Sequence, residues 1–173
     1  MEAIKIVLLS IVAAVAFGIL HDQITARICV EYFTIGHPPV FDTKSPTLLA
    51  LGWGTIATWW VGVLLGFPAA GLARIGQMPK LTASQLVFPV GFVMVAAAIA
   101  SCTAGIVGFI AASNGWVYLL EPMASKVPTA MHARFLADLW AHTAAYGAGA
   151  IGGMILWGWI WWKRANLSLR DRP

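Results

Sequence analysis

The chain predicts an all-α fold, a transmembrane bundle of four helices with both termini in the cytoplasm. Three observations predict it. Sixty per cent of the residues are apolar and ten per cent charged, with a mean hydropathy of +0.79; a soluble domain needs more charge to cover its surface. The apolar residues form four runs separated by shorter polar connectors. Lysines, arginines and tryptophans gather where the runs end, as lipid–water interfaces require. The net charge of +4 is dispersed over those ends, so the expected partner is the lipid bilayer and not a nucleic acid.

The first helix is expected over about 3–33. Residues 6–20 are apolar throughout, yet at ~1.5 Å per residue they cover about 22 Å, short of the ~30 Å hydrocarbon core. The helix therefore continues through the polar residues that follow, to the stop at Gly36, His37, Pro38 and Pro39. Ala14-Val15-Ala16 has the look of a signal-peptidase site. The preceding segment balances Lys5 against Glu2 and no polar cleavage region follows, so a retained helix is expected.

The second helix, expected over 47–73, is rich in glycine, and Gly62-xxx-Gly66 offers a face for close helix approach. Pro68 is expected to kink its end, and a short basic loop with Arg74 and Lys80 follows. The third helix, 86–112, has only Ser101, Cys102 and Thr103 as weakly polar interior groups. Cys29 and Cys102 read as small buried side chains rather than a disulfide or metal pair. The connector 113–131 carries turn signals at Asn114-Gly115, Pro122 and Pro128.

The fourth helix, 130–162, is amphipathic at first and apolar from Trp140 onward. Ala145, Gly149 and Gly153 form a second small-residue stripe. Together with Gly62/Gly66, that face is expected to serve a homo-oligomer or a larger membrane complex. Trp157, Trp159, Trp161 and Trp162, next to Lys163 and Arg164, form an aromatic belt, and 163–173 is a basic cytoplasmic tail. The whole chain is one membrane domain. Lys5, Arg74, Lys80, Lys163, Arg164, Arg170 and Arg172 fall on one side, and Arg27, Lys44, Lys126 and Arg134 on the other. The basic excess marks the cytoplasmic face.

Two polar clusters stand out in so apolar a chain. His21, Asp22, Arg27, Glu31 and His37 lie along and just past the end of the first helix, and His132, Arg134, Asp138 and His142 at the head of the fourth. All four histidines are therefore on the non-cytoplasmic side. Counting ~1.5 Å per residue from Lys5 and Lys163 puts His21 and Asp22 level with Tyr146, Arg27 with His142, and Glu31 with Asp138. Ionisable groups inside a membrane face protein or a water-filled cavity and pair with one another, so helices 1 and 4 are expected to be neighbours.

Several chemistries fit. His21, Asp22, Glu31, His37, His132, Asp138 and His142 form a nitrogen and oxygen donor set suited to Zn, Fe, Cu or Mn. A structural network instead pairs Arg27 with Asp138, Arg134 with Glu31 or Asp138, and His142 with Tyr146 or a backbone carbonyl, as in a non-enzymatic accessory subunit. A haem held by His21 and His142, or a small transporter, completes the set, although helices 2 and 3 offer no charge to line a path.

The segments His21-Asp22-Gln23-Ile24-Thr25-Ala26-Arg27 and Glu31-Tyr32-Phe33-Thr34-Ile35-Gly36-His37-Pro38 resemble the signature of an uncharacterised group of bacterial four-helix membrane proteins. His132-Ala133-Arg134-Phe135 and Trp140-Ala141-His142 extend the resemblance. It implies the four-helix architecture and a bacterial origin, hence a multi-pass protein of the inner membrane, and it implies no activity.

Overall fold

The structure is a computed structural model and describes residues 1–170. Asp171 and Arg172, read above into the tail, lie outside the described residues. The protein is all-helical: α1 Glu2–Ile28, α2 Val30–Thr34, α3 Pro46–Ile56, α4 Trp59–Arg74, α5 Ala83–Ser113, α6 Met123–Lys126, a 3-10 turn Thr129–Met131, and α7 His132–Arg170. Three helical stretches are long and apolar enough to cross a membrane: Glu2–Ile28, Pro46–Arg74 and Ala83–Ser113. The exposed large side chains are largely apolar, among them Leu8, Leu20, Leu64, Phe88, Phe92, Ile99 and Ile155, as a lipid-facing surface requires.

Both of the first two expected helices are interrupted. The first breaks at Cys29, whose backbone is extended (φ −147°, ψ 96°), before the short α2. No proline or glycine marks this break. It is set by packing: Cys29 is buried with Leu119, Val127, Phe135 and Leu136, and Phe33 with Ala26, Leu49 and Trp53. The second breaks between α3 and α4 at Ala57 and Thr58. The Thr58 hydroxyl turns back to the Gly54 carbonyl, a local bond that competes with the helical ladder. The Ala57 carbonyl accepts from the Tyr146 hydroxyl at 3.3 Å, so a neighbouring helix satisfies it. The last helix does not stop at 162 but runs on to Arg170.

α1 packs against α3, α4 and α5, whereas α7 packs chiefly against α5 and also α4; α1 and α7 touch only sparsely. Glycine sets how close the first contacts are. A Cβ on Gly62 would come within 2.5 Å of Ile11 Cα, one on Gly66 within 2.8 Å of Ser10 Cβ, and one on Gly54 within 2.6 Å of the Ile19 backbone. The Gly62/Gly66 face is therefore filled by α1 of the same chain. The second stripe is mixed: Gly149 has nothing within 4 Å of its Cβ position, whereas a Cβ on Gly153 would come within 2.7 Å of the Leu65 side chain.

Arg164 joins α7 to the α4–α5 turn. Its side chain is buried, and its guanidinium donates to the carbonyls of Leu72, Ile75, Met78 and Pro79. A cation here also faces the negative end of α4. Cys29 is buried, but Cys102 is exposed on α5, because the residue beside it, Ser101, takes the inward face.

Gly62→Ala is expected to destabilise the fold by about 1–3 kcal/mol, the usual cost of overpacking, because the new methyl meets backbone. Gly149→Ala serves as the contrast and should leave stability unchanged or slightly raised. Thermal unfolding of both variants in one detergent measures the difference.

Candidate metal centre

α1 carries His21 and Asp22 on its last turns, α5 carries Ser101, and α7 carries His142. Their side chains meet where the three helices converge. Asp22 is buried at 5% exposure. Its Oδ1 lies 3.1 Å from His21 Nδ1 and 3.2 Å from His142 Nε2. The remaining ring nitrogens are engaged as well: His21 Nε2 lies 2.8 Å from Ser101 Oγ, and His142 Nδ1 lies 2.7 Å from the Asp138 backbone carbonyl.

A carbonyl oxygen only accepts, so His142 Nδ1 carries a proton and donates it. Nε2 is then the nitrogen left to meet Asp22. Between Nε2 and Oδ1 one proton forms the hydrogen bond, either as imidazolium and carboxylate or as imidazole and carboxylic acid. The pair has zero net charge either way, which suits an apolar surrounding. If that proton leaves, Nε2 and Oδ1 both present lone pairs to the same point.

His21, Asp22 and His142 each offer a ligand atom, a ring nitrogen or a carboxylate oxygen, and these atoms all lie within 4.8 Å of one another. Zinc binds imidazole nitrogen at about 2.0–2.1 Å, which in a tetrahedron separates ligand atoms by about 3.4 Å. The two observed separations of 3.1 and 3.2 Å need to open by only a few tenths of an ångström. The outer bonds to Ser101 and to the Asp138 carbonyl are the kind that orient metal-binding imidazoles.

The other expected ligands lie elsewhere. His37 Nδ1 donates to the Tyr32 carbonyl at 2.8 Å, and its ring stacks on Phe33 and tilts against Trp53. His132 Nε2 lies 3.0 Å from the Val127 carbonyl. Glu31 Oε2 accepts from the Cys29 thiol at 3.5 Å. Asp138 is fully buried, and no protein donor among the described residues reaches either of its carboxylate oxygens; its backbone, not its side chain, serves the centre.

The expected arginine pairs do not form. Arg27 turns to Gln23 and Thr47, and Arg134 is exposed and makes no ion pair among the described residues. Both sit where helix faces turn outward, away from the buried Asp138. Tyr146 bonds Ala57, while His142 takes a backbone carbonyl. The haem geometry also fails: the His21 and His142 ring centroids are 4.5 Å apart, too close for an iron porphyrin to lie between them.

Beneath the triad lies a cavity of about 180 Å³. Its polar end is formed by His21, Asp22, His142, Tyr32, His37 and Tyr146, and its shaft by apolar groups such as Leu65, Val90, Val93 and Leu156. Ala57 and Thr58, at the break between α3 and α4, line it too. So does the whole Ala145/Gly149/Gly153 stripe. Ser101 is visible in the sequence only as one of three weakly polar groups in its helix, and Tyr32 and Thr58 carry no site signal there, because isolated hydroxyls are common in apolar helices. Comparisons with protein-family models, curated proteins and solved structures find no match.

His37 lies in the connector beyond α2, and burial holds its imidazole below the usual value, with the bond to the Tyr32 carbonyl opposing that shift. The unfolded chain then takes up the proton first as pH falls below about 6.5. Stability is full above that pH and declines as pH drops toward the folded-state value. His37→Phe should flatten this decline, read as thermal unfolding midpoints from pH 7.5 to 5.

Proposed function

We propose that this protein is a multi-pass protein of the bacterial inner membrane that holds a divalent transition metal between helices. The metal ligands are His21 Nδ1, Asp22 Oδ1 and His142 Nε2, with an open position toward the cavity. The observation that carries this reading is the convergence of three donor atoms whose outer nitrogens are already held by Ser101 and the Asp138 carbonyl. Two imidazoles and one carboxylate with a vacant site suit Zn²⁺ or Fe²⁺, and also bind Cu²⁺ and Mn²⁺.

α7 supplies the fourth span. Its stretch from Trp140 to Trp162 is predominantly apolar, and Trp161 and Trp162 are exposed near its end. Lys163 lies over the Trp159 ring at 4.7 Å, an interface arrangement. The four spans then form a bundle in which α1 and α7 face one another across the centre. Lys5, Arg74, Lys80 and Lys163 lie toward one end, which the excess of basic residues assigns to the cytoplasm. The metal centre then lies toward the outer leaflet. A C-terminal reporter that is active only in the cytoplasm should report activity; activity from an exported-side reporter at that terminus reverses the topology.

One observation favours a second reading. Asp22 and both imidazoles already satisfy each other by hydrogen bonds, so the cluster can pin α1, α5 and α7 with no ion, as an accessory subunit would use it. Elemental analysis of protein purified in mild detergent separates the two. A bound metal near one equivalent, lost in His142→Ala and strongly reduced in Asp22→Asn while helicity is retained, is the expected result. Metal-free wild-type protein after zinc or iron supplementation, with lower thermal stability as the only effect of His142→Ala, establishes the structural reading instead.

A further inference from the structure

The cavity beneath the triad has an uneven chemistry that specifies an occupant. Its head is polar and narrow. The Tyr32 and His142 rings are 4.5 Å apart and the His37 and Trp53 rings 4.6 Å apart, so no slot remains for a flat ring between them. Its shaft is apolar and runs along α7 from His142 to Gly153, eleven residues or about 16 Å. Ala145 and Gly149 line part of that length, and Gly149 leaves open space where a side chain would stand, whereas Leu65 packs over Gly153. Tyr146 borders the cavity and is 44% exposed, so the cavity reaches the protein surface beside its polar end.

Charge supplies the other half of the specification. A divalent cation held by two neutral imidazoles and the Asp22 carboxylate keeps one positive charge, and an apolar surrounding favours one further anion at its open position. Asp138 is absent from the cavity wall. A narrow anionic head followed by a straight apolar tail is the complement of this space.

We propose that the cavity binds a long-chain carboxylate, a single-chain amphiphile whose carboxylate oxygen takes the open metal position and whose hydrocarbon chain lies along Ala145 and Gly149 toward Leu65. The chain enters from the bilayer past Tyr146. This assignment rests on the metal reading above and names the ligand of that same centre.

The test uses the full chain in phosphatidylcholine nanodiscs, loaded with zinc, and titrated with radiolabelled laurate, whose extended length is comparable to the shaft. Gly149→Leu fills the shaft from a position where a Cβ meets nothing, so folding should be preserved. Gly147→Leu is the control, since Gly147 is equally unobstructed and does not line the cavity. Expected are saturable one-to-one binding to the wild type and to Gly147→Leu, and affinity weakened about tenfold or more in Gly149→Leu at unchanged zinc content. Cobalt-loaded protein should change its visible spectrum when laurate is added.

Zinc-loaded wild type without saturable laurate binding, or equal binding in Gly149→Leu, overturns the tail assignment and leaves the metal centre standing. Dodecanol binding as tightly as laurate overturns the anionic head. Metal-free protein that binds laurate in a Gly149-dependent way overturns the metal contact instead. Protein with neither zinc nor laurate refutes both.

Discussion

Everything in the centre of this protein depends on one oxygen. Asp22 Oδ1 is the meeting point of two imidazoles, one from the preceding residue and one from a helix that otherwise hardly touches α1. A carboxylate placed in a membrane segment costs about 2.5 to 3.5 kcal/mol near the bilayer centre, and two nitrogen partners offset that cost. The same demand explains the surroundings. Ser101 holds the far side of His21, and the Asp138 carbonyl fixes the tautomer of His142. α2 folds the Tyr32 and Phe33 rings against His142.

Glycine is used in two opposite ways around this centre. On α3 and α4, Gly54, Gly62 and Gly66 allow the α1 backbone to come close, and any side chain there would strike main-chain atoms or Ser10. On α7, Gly149 faces a void. Close contact on one side and a missing side chain on the other leave an elongated cavity inside a compact set of helices. The break at Ala57 and Thr58 lies on the wall of that cavity, where Tyr146 replaces the lost helical bond. Irregular backbone at membrane depth is tolerated where it is buried in protein or borders such a space.

Much of this was legible in the residues. Charged groups in apolar runs are conspicuous, so His21, Asp22, Asp138 and His142 announced themselves; the expected neighbourhood of α1 and α7 reduces to the contact of Asp22 with His142, since the two helices otherwise touch only sparsely and α7 packs chiefly on α5. The pairing differs in detail. Depth counting set Asp22 level with Tyr146, yet Asp22 meets His142, about one turn away. Lys5 and Lys163 are not at equal height, since Ile6 shares a core cluster with Ile160. Small-residue stripes were equally visible, but spacing alone does not tell whether a stripe meets a helix or a cavity. Two features carried no readable signal. The break at Cys29 has no glycine or proline, and the break before Trp59 depends on a hydroxyl bonding to its own helix, as many serines and threonines in unbroken helices also do.

The link between Asp22 and His142 spans 120 positions of the chain, and this has a consequence for biogenesis. Ribosomes deliver α1 first and α7 last. Throughout the insertion of α3, α4 and α5, Asp22 enters lipid with His21 beside it, and Ser101 arrives only with α5. Until α7 is made the acid is incompletely matched, and this last helix completes it. Truncation before α7 would leave an assembly intermediate whose buried acid lacks its second imidazole, a ready mark for membrane quality control.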